Sequence, residues 1–538
     1  MPRLITLPRI DSVALADVAG AGVLLVFLFG WQWHVTGFVS ARAIAALAVF
    51  MALCLAYGSL FTRCCASLFH STAGLAFKFL TGYFIFNSLL FIAALCSPLG
   101  MAGNLGGLGA LAVAGLILQG RRARVADAVS DNAWATPVAI AICCVGATIW
   151  SGDAQSGLEL RGDNTIFRVW YDTFIHVREI SMFAHAHGFS TVQDIKQAWT
   201  PAPVYHFASY LSPAFISAFG GISAMQAYTS FQLPLGIMLT GLAAYCFMSK
   251  MFGCWPGVAA AVAIVLFPDA YQQGFQHRYL SYNFLAQVNL GMLYGIACTA
   301  LAWMFMLDAC KRGKIATVFL AYAFLVLCLF YKAHLFVANS YVLMMFPIVF
   351  FAPLRLTWRI ALGCLATVLF CAVVSYAQTN PRVPVLRLDG SGVSTYLADR
   401  IRDYDRGWMR MTFRRIFLEE HHSKATQAVL AALMLSVSTF GIWLVATAAV
   451  LFRGRRTLPA ALWWFPIIVF VNYMVMALGL ALDTRGVGTP DELLNRPLVW
   501  AYFAVAAWTA AAGYRLFVGA GLPNRAPAKA ALFAALLA

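Results

Sequence analysis

Long apolar runs, separated by short polar segments, follow one another along nearly the whole chain. Many of these runs reach about 18 residues with few or no charges, which is the pattern of a membrane-spanning α-helix. The pattern therefore predicts an all-α polytopic membrane protein with about fourteen membrane-spanning helices. The predicted spans lie near residues 13–36, 43–62, 73–97, 102–119, 134–150, 224–249, 255–268, 285–310, 315–331, 334–352, 357–377, 427–452, 460–482 and 498–517.

Composition supports the membrane prediction. Of the 538 residues, 62% are hydrophobic and only 11% are charged, and a soluble protein of this length could not enclose so much apolar surface. The net charge of +16 would suggest a nucleic-acid partner in a soluble protein. In a membrane protein basic residues collect in the cytoplasmic loops, so no nucleic-acid partner is expected. The 13 cysteines form no CxxC pair, which favours buried thiols over a metal or redox site.

Four clusters of arginine and lysine between spans set the predicted orientation. They are QGRRAR at 119–124, CKRGK at 310–314, PLRLTWR at 353–359 and FRGRR at 452–456. All four fall on the cytoplasmic side, with both termini cytoplasmic, only if the apolar run 204–221 does not cross the membrane. The prolines of this run and the residues Tyr205 and His206 favour an interfacial or re-entrant helix at the outer face.

This topology gives one membrane domain, 1–538, with five successive parts. They are a five-span bundle at 1–150, a large outer loop with interfacial helices at 151–223, central spans at 224–377, an arginine-rich outer loop at 378–426 and C-terminal spans at 427–538. Most of the 21 acidic residues and of the 10 histidines lie in or beside four stretches on the outer face, which are 151–223, 269–284, 378–426 and 483–497. Polar groups gathered at one membrane face predict a functional site there, and an ordinary solvated surface is the alternative.

The segment YDTFIHVREISMFAHAHG in the first outer loop carries the main candidates for catalysis. On a helix, Asp172, His176 and Glu179 would share one face. A carboxylate at the membrane boundary suits the deprotonation of an acceptor hydroxyl. Arg178 would be free to reach a phosphate or another carboxylate, and a structural ion pair of Asp172 with Arg168 or Arg178 is the alternative.

The same segment ends in the pair His185 and His187. In an extended chain these rings would lie on one face and could bind a metal, but on a helix they diverge. No third ligand follows from the spacing, so ordinary polar histidines are favoured and no metal site is predicted.

Basic residues in the later outer segments are candidates for holding a phosphate group, because arginine and lysine side chains bind phosphate oxygens. Arg278 stands in the segment FPDAYQQGFQHRYLSYN, and Lys332 stands near His334 between two apolar runs. Arg406 and Arg410 are one helical turn apart, so they would line one face of a helix. An amphipathic helix that binds anionic lipid headgroups through these arginines is the alternative.

The order of these elements resembles the GT-C superfamily of integral membrane glycosyltransferases, which use lipid-phosphate-linked sugars. In many of those enzymes an outer loop carries a D-x-(F/Y)-x-x-x-R/H-type segment that ends in glycine, and YDTFIHVREISMFAHAHG is similar to it. PVYHFASYLSPAFISAFGG and LFPDAYQQGFQHRY resemble the next two elements of the family, so the resemblance covers roughly residues 160–340. The family's acidic loop follows the first span, whereas here it follows the fifth, which leaves the choice of base open among Asp153, Asp163 and Asp172.

The resemblance implies transfer of a sugar from a polyprenyl phosphate or pyrophosphate donor to a glycan, lipid or protein acceptor, at the outer, periplasmic face of a bacterial inner membrane. It implies that Asp172 is the general base, with Asp163 as second choice and His176 assisting proton transfer. The side chains implied to hold the donor phosphate are Arg278, Lys332, His334, Arg406 and Arg410, and those implied to contact substrate are Arg178, Tyr205, His206, Asp269 and His277. No cofactor is specified, and a divalent cation is left open. The alternatives are a polysaccharide polymerase or ligase, a transporter or flippase for a lipid-linked saccharide, and a non-catalytic scaffold.

Overall fold

A computed structural model describes most of the membrane part of the chain. The described residues are 12–37, 39–68, 74–120, 133–155, 158–161, 164–167, 171–185, 207–275, 281–379, 385–388, 411, 414–415, 423–483 and 492–518. Helices account for nearly all of them, as the periodic apolar runs predict.

The helices follow one another with short connections. In the N-terminal part they are α1 (Ser12–Thr36), α2 (Ala41–Cys64), α3 (Leu75–Cys96), α4 (Gly100–Gly120), α5 (Ala135–Gln155), α6 (Tyr171–His185) and α7 (Leu211–Gly220). The next group is α8 (Ala224–Phe252), α9 (Cys254–Val265), α10 (Tyr282–Val288), α11 (Gly291–Arg312), α12 (Ile315–Tyr331), α13 (Ala333–Phe350) and α14 (Leu356–Thr379). The last group is α15 (Lys424–Phe440), α16 (Ile442–Gly454), α17 (Ala460–Gly479) and α18 (Glu492–Gly513).

Two short antiparallel strand pairs interrupt the helical pattern. β1 (Leu158–Arg161) pairs with β2 (Asn164–Phe167), and β3 (Val385–Leu388) pairs with β4 (Leu480–Asp483). The sequence did not predict them. Each strand has only four residues, and such pairing satisfies backbone groups in the segments between helices.

Within the described residues, ten helices are long and apolar enough to cross a membrane, or eleven if the bent pair α15–α16 counts as one span. The prediction of an all-α polytopic membrane protein is therefore confirmed. α9 has only 12 residues, a length of about 18 Å, against about 30 Å for the hydrocarbon core. The count of fourteen spans stays a prediction.

The helix α7 lies in the apolar run 204–221, which was predicted not to cross the membrane. Its 10 residues correspond to about 15 Å, half of the hydrocarbon core. It packs on the N-terminal helices, where Ser40 Oγ donates to the Gly220 carbonyl over 3.1 Å and the hydroxyls of Tyr83 and Ser212 lie 3.2 Å apart. A helix of this length does not span the membrane alone, which agrees with the prediction.

The chain divides into two compact units. The first comprises Met1–Gln155, His176–Pro203 and Tyr210–Met238, and the second comprises Ser156–Ile175, Val204–Ser209 and Leu239–Ala538. The sequence-based divisions at residues 150, 223, 377 and 426 stay predictions.

In the first unit, α2 and α3 pack with their backbones in close contact. A Cβ atom at Gly58 would clash with the carbonyl oxygen of Lys78, and one at Gly82 would clash with that of Cys54. Small residues are the usual means of bringing membrane helices this close, because lipid provides no hydrophobic drive for their association.

In the second unit, the basic segments CKRGK and PLRLTWR meet at one end of the helix bundle. α11 ends at Arg312 and α13 ends at Phe350. A Cβ atom built on Gly313 would come within 3.0 Å of Pro353 Cγ, so the two connections touch.

The segment FRGRR lies at the same end, because α13 and α17 are antiparallel. Trp303 packs against both Phe346 and Phe465, with ring centroids 5.1 Å apart in each pair. Asn472 donates to the Ala338 carbonyl over 2.9 Å, so α17 begins where α13 ends. We call this end of the second unit, formed by residues 311–314, 351–359 and 452–459, the basic end. Most of the fourth basic cluster, 119–124, lies outside the described residues.

The predicted span 427–452 is not one continuous helix. α15 and α16 meet at Gly441 with a bend of 94° between their axes. Gly441 has φ 52° and ψ −132°, a conformation that favours glycine. A Cβ atom there would clash with the Gln273 side chain. The glycine within the apolar run therefore allows the break that the prediction of one span overlooked.

Candidate functional site

A polar loop connects α9 to α10 inside the second unit, and the length of α9 indicates how far it lies from the basic end. Lys250, near the end of α8, interacts electrostatically with Asp308 and Arg312 at the basic end, so α9 starts near that end. Its 12 residues rise about 18 Å, which leaves the loop about 10 Å short of the far boundary of a core of about 30 Å. We call residues 266–275 and 281–283 the intramembrane loop.

The bend at Gly441 lies at the same depth and is joined to this loop. α16 has 13 residues between the bend and the basic end, a length of about 20 Å. The Ile442 backbone N–H donates to Gln273 Oε1 over 2.8 Å, and Gln273 Nε2 donates to the Pro268 carbonyl over 2.7 Å. Irregular backbone at membrane depth is tolerated only inside protein or beside a water-filled cavity.

Asp269 holds the intramembrane loop together. Its side chain is fully buried, and Oδ1 accepts hydrogen bonds from the backbone N–H groups of Tyr271 at 3.1 Å and Gln272 at 3.2 Å. Oδ2 accepts the Asn283 N–H at 2.9 Å and the Ser281 hydroxyl. Four donors on four lone pairs make this carboxylate the centre of the loop, whereas its predicted contact with substrate stays a prediction.

A buried tyrosine pair lies beside the Asp269 carboxylate. Tyr282 stacks on Tyr502 with ring centroids 4.8 Å apart, and Trp443 Nε1 donates to the Tyr502 hydroxyl over 3.1 Å. The Tyr282 hydroxyl is buried and has no hydrogen-bond partner among the described residues. This hydroxyl can therefore donate a hydrogen bond to a bound molecule.

Lys332 lies at the junction between α12 and α13, at the end of these helices that faces away from the basic end. Its side chain is buried, and Nζ donates to Asn289 Oδ1 over 3.0 Å. An ammonium group has three donors, so the predicted role in phosphate binding is chemically compatible with this contact. His334 follows in the first turn of α13 and is half-buried.

In the first unit, His176 lies between two tyrosine rings. Its ring is stacked on Tyr210 with centroids 5.7 Å apart and on Tyr228 with centroids 5.9 Å apart. Nδ1 lies 2.7 Å from the Tyr210 hydroxyl. The imidazole is buried and held in orientation, as a residue that moves protons must be.

The predicted helix around Asp172 is present as α6, and its polar face is largely buried. Asp172 occupies the first turn and is half-buried, where the helix dipole stabilises a negative charge. His176 and Glu179 follow on the same face, and Glu179 is only 3% exposed. Arg178, expected to be free for a phosphate or a carboxylate, forms an ion pair with Glu179.

Several candidates lie outside the described residues. They are Asp163, Tyr205, His206, His277, Arg278, Arg406 and Arg410, together with His187. Arg414, which continues the four-residue spacing of the late arginines, is described and exposed. Within the described part of the chain, no group of three or more His, Cys, Asp or Glu side chains is placed to hold a metal ion.

The sequence patterns did not reveal the residues that shape the intramembrane loop. Gln273, Asn283 and Asn289 were not singled out, although polar amides next to a proline at the end of an apolar run are a signal of irregular backbone. Gly441 was visible as a glycine inside a predicted span, which is a recognised site of helix breaks.

Comparison with known proteins found no match: no family model fits the chain, and no curated protein and no solved structure is similar to it.

Proposed function

We propose that the protein is an integral membrane glycosyltransferase of the GT-C type, with about fourteen spans and both termini in the cytoplasm of a bacterial cell. It transfers a sugar from a polyprenyl phosphate or pyrophosphate donor to a glycan, lipid or protein acceptor at the outer face of the inner membrane. The charge pattern of the basic segments supports this orientation, because arginine and lysine favour cytoplasmic loops.

The observation that carries the proposal is the intramembrane loop. A donor of this class keeps its isoprenoid chain in the lipid while its sugar needs polar partners. The loop and the bend at Gly441 bring the polar groups of Asp269, Ser281 and Asn283 to a depth of about 20 Å from the basic end. The Tyr282 hydroxyl is a buried donor at the same place.

The proposed chemistry assigns different tasks to acids and cations. Asp172 removes the proton of an acceptor hydroxyl as its oxygen bonds to the anomeric carbon of the sugar. The bond from that carbon to the phosphate oxygen breaks, and the lipid phosphate leaves with the electron pair. Lys332 stabilises the charge that develops on the leaving phosphate, together with the cations proposed in the segments beyond the described residues.

Loss of the base is the decisive test of this proposal. The purified full-length protein in liposomes is given tritium-labelled polyprenyl-phosphate hexoses, and an envelope extract serves as the source of acceptors. Asp172→Asn should lower transfer of label out of the polyprenyl lipid by about 100-fold or more, while Asp153→Asn and Asp163→Asn keep most of the rate. If Asp172→Asn transfers sugar at the wild-type rate, Asp172 is not the general base. If all three variants transfer at the wild-type rate, the base does not lie among these residues of the first outer loop.

A transporter or flippase for a lipid-linked saccharide is the second candidate, and the 94° break between α15 and α16 favours it. Broken helices at membrane depth are typical of substrate sites in transporters. Sealed vesicles distinguish the two functions, because a flippase moves intact donor between leaflets without releasing sugar from it.

A further inference from the structure

An apolar groove runs along the outside of the second unit between α13 and α17. Its volume is about 530 Å³, and its walls include Tyr341, Met345 and Val349 from α13 and Trp464 and Ile468 from α17. Volumes of roughly 300–1,000 Å³ are typical of ligand sites. Val349 and Trp464 are 52% and 43% exposed, so the groove is open toward the lipid rather than sealed inside the bundle.

The groove has the length of one lipid leaflet. Its α13 wall extends from Tyr341 to Phe350, nine residue steps or about 14 Å. This is about half of a hydrocarbon core of about 30 Å. Because α13 ends at Phe350, the groove begins at the basic end and stops near the middle of the membrane.

An arginine closes the basic end of the groove. The Arg359 guanidinium donates to the carbonyls of Phe351 at 3.1 Å and Leu354 at 2.9 Å, and also to the carbonyl of Val349, which lines the groove. The bond to Val349 satisfies a carbonyl group left open in the last turn of α13, and the three bonds leave part of the guanidinium for another partner.

The surroundings of this arginine are strongly cationic. The segments 351–360 and 451–460 contain five arginines, which are Arg355, Arg359, Arg453, Arg455 and Arg456, and neither segment contains an acidic residue. All but Arg359 are exposed. Clusters of this kind attract anionic headgroups at about 1 kcal/mol per basic residue.

We propose that this groove binds one acyl chain of an anionic phospholipid, whose phosphate group is held by Arg355 and Arg359. The apolar walls match the chain, and the charge at the end of the groove matches the headgroup. In the proposed function the phosphate of the polyprenyl donor lies near Lys332, at the other end of α13, so that donor and the phospholipid would use different places. This inference is independent of the proposed glycosyl transfer.

The test uses the full-length protein in nanodiscs of phosphatidylcholine that contain a trace of phosphatidylglycerol with a photoactivatable acyl chain. Crosslinks mapped by mass spectrometry should concentrate on 341–350 and 464–468, and unlabelled phosphatidylglycerol should compete while phosphatidylcholine does not. Arg355→Gln/Arg359→Gln should raise the phosphatidylglycerol concentration for half-maximal labelling by about 30-fold. Val349→Trp, which fills the groove, should abolish the labelling.

Matched controls lie elsewhere on the lipid-facing surface. Val475→Trp introduces the same ring at a site that is 57% exposed and outside the groove, and Arg63→Gln removes an exposed arginine at the end of α2. Both should label as the wild type does.

Three results would overturn the proposal. Equal labelling by a photoactivatable phosphatidylcholine would show unselective lipid contact, and stronger competition by a polyprenyl phosphate would assign the groove to an isoprenoid. Labelling of Val349→Trp at the wild-type level would show that the acyl chain does not lie in the groove. If the double arginine variant does not fold, the result for Val349→Trp alone tests the proposal.

Discussion

Replacing Asp269 by asparagine should destabilise the protein strongly, although the change exchanges only one oxygen for an amide nitrogen. Asp269 accepts four hydrogen bonds in a completely buried position. An asparagine offers one acceptor oxygen, so its NH₂ group must face two donors. Either the pair on Oδ1 or the pair on Oδ2 is then lost.

The size of the effect follows from the two hydrogen bonds that cannot re-form. A hydrogen bond to a charged group contributes about 1.5–3 kcal/mol, so the loss of two costs about 3–6 kcal/mol of the free energy of unfolding. At roughly 2 °C for each kcal/mol in a long chain, Tm should fall by about 6–12 °C.

The buried cysteines of the protein provide the assay. Cys246, Cys298 and Cys328 are free and buried, so a thiol-reactive fluorescent dye reports their exposure as the detergent-solubilised protein is heated. Unfolding of membrane proteins is often irreversible, so all variants must be compared at one heating rate.

Asp17→Asn is the matched control. Among the described residues, Asp17 accepts one hydrogen bond, of 3.2 Å, from the Leu75 backbone N–H, and an asparagine oxygen can accept the same bond. Its Tm should therefore stay within about 2 °C of the wild type. If Asp269→Asn unfolds at the same temperature as Asp17→Asn, the carboxylate does not hold the intramembrane loop and the reasoning is refuted.

Three further variants test the loop and the histidine. Gly441→Ala should lower the free energy of unfolding by about 1–3 kcal/mol, because its backbone conformation is unfavourable for other residues and its Cβ meets Gln273; Gly479→Ala, where the space is open, should be neutral in the same dye assay. Tyr282→Phe should leave Tm unchanged or slightly higher, since the lost hydroxyl has no hydrogen-bond partner among the described residues, but it should weaken binding of a lipid-linked sugar; unchanged binding would contradict a role as donor. His176→Phe should keep the ring stacking and lose the hydrogen bond to Tyr210, which lowers the free energy of unfolding by about 1 kcal/mol. A large loss of transfer rate in a variant that keeps nearly the wild-type Tm would support a role of His176 in proton transfer.

The sequence was sufficient to predict the features that depend on amino-acid composition and on the spacing of residues along a helix. Apolar runs long enough to span a membrane form helices such as α2, α11 and α17 near their predicted bounds. In lipid the backbone must satisfy its own hydrogen bonds, which leaves such a run few conformations other than a helix. Asp172, His176 and Glu179 share a helical face as their spacing predicts. The helix α7 is too short to cross the membrane by itself, while the outer-face position of its run stays a prediction.

The features that decide the candidate site could not be read from local patterns. The predicted substrate contact of Asp269 stays a prediction, whereas its hydrogen bonds to donors from Tyr271 to Asn283 were not predicted. This arrangement depends on a chain reversal of more than ten residues. The apolar run 427–452 was treated as one span because hydropathy averages over a window, and one glycine changes the average very little. The position and angle of the break depend on packing, because the Ile442 N–H after the bend bonds to Gln273 of a distant segment.

The arginines of the basic end and the polar groups of the intramembrane loop therefore differ in burial and in expected role. The arginines of the basic end are mostly exposed, and their number follows from the general preference of such residues for one side of a membrane. This preference supports the proposed orientation, and among these arginines Arg359 is held in place by its bonds to backbone carbonyls. Asp269, Ser281 and Asn283 of the intramembrane loop are instead buried and hydrogen-bonded to one another, in a position where an unsatisfied polar atom is costly. Substitutions in the intramembrane loop should therefore separate two effects, a loss of stability at Asp269 and, if the proposed function holds, a loss of ligand binding at Tyr282.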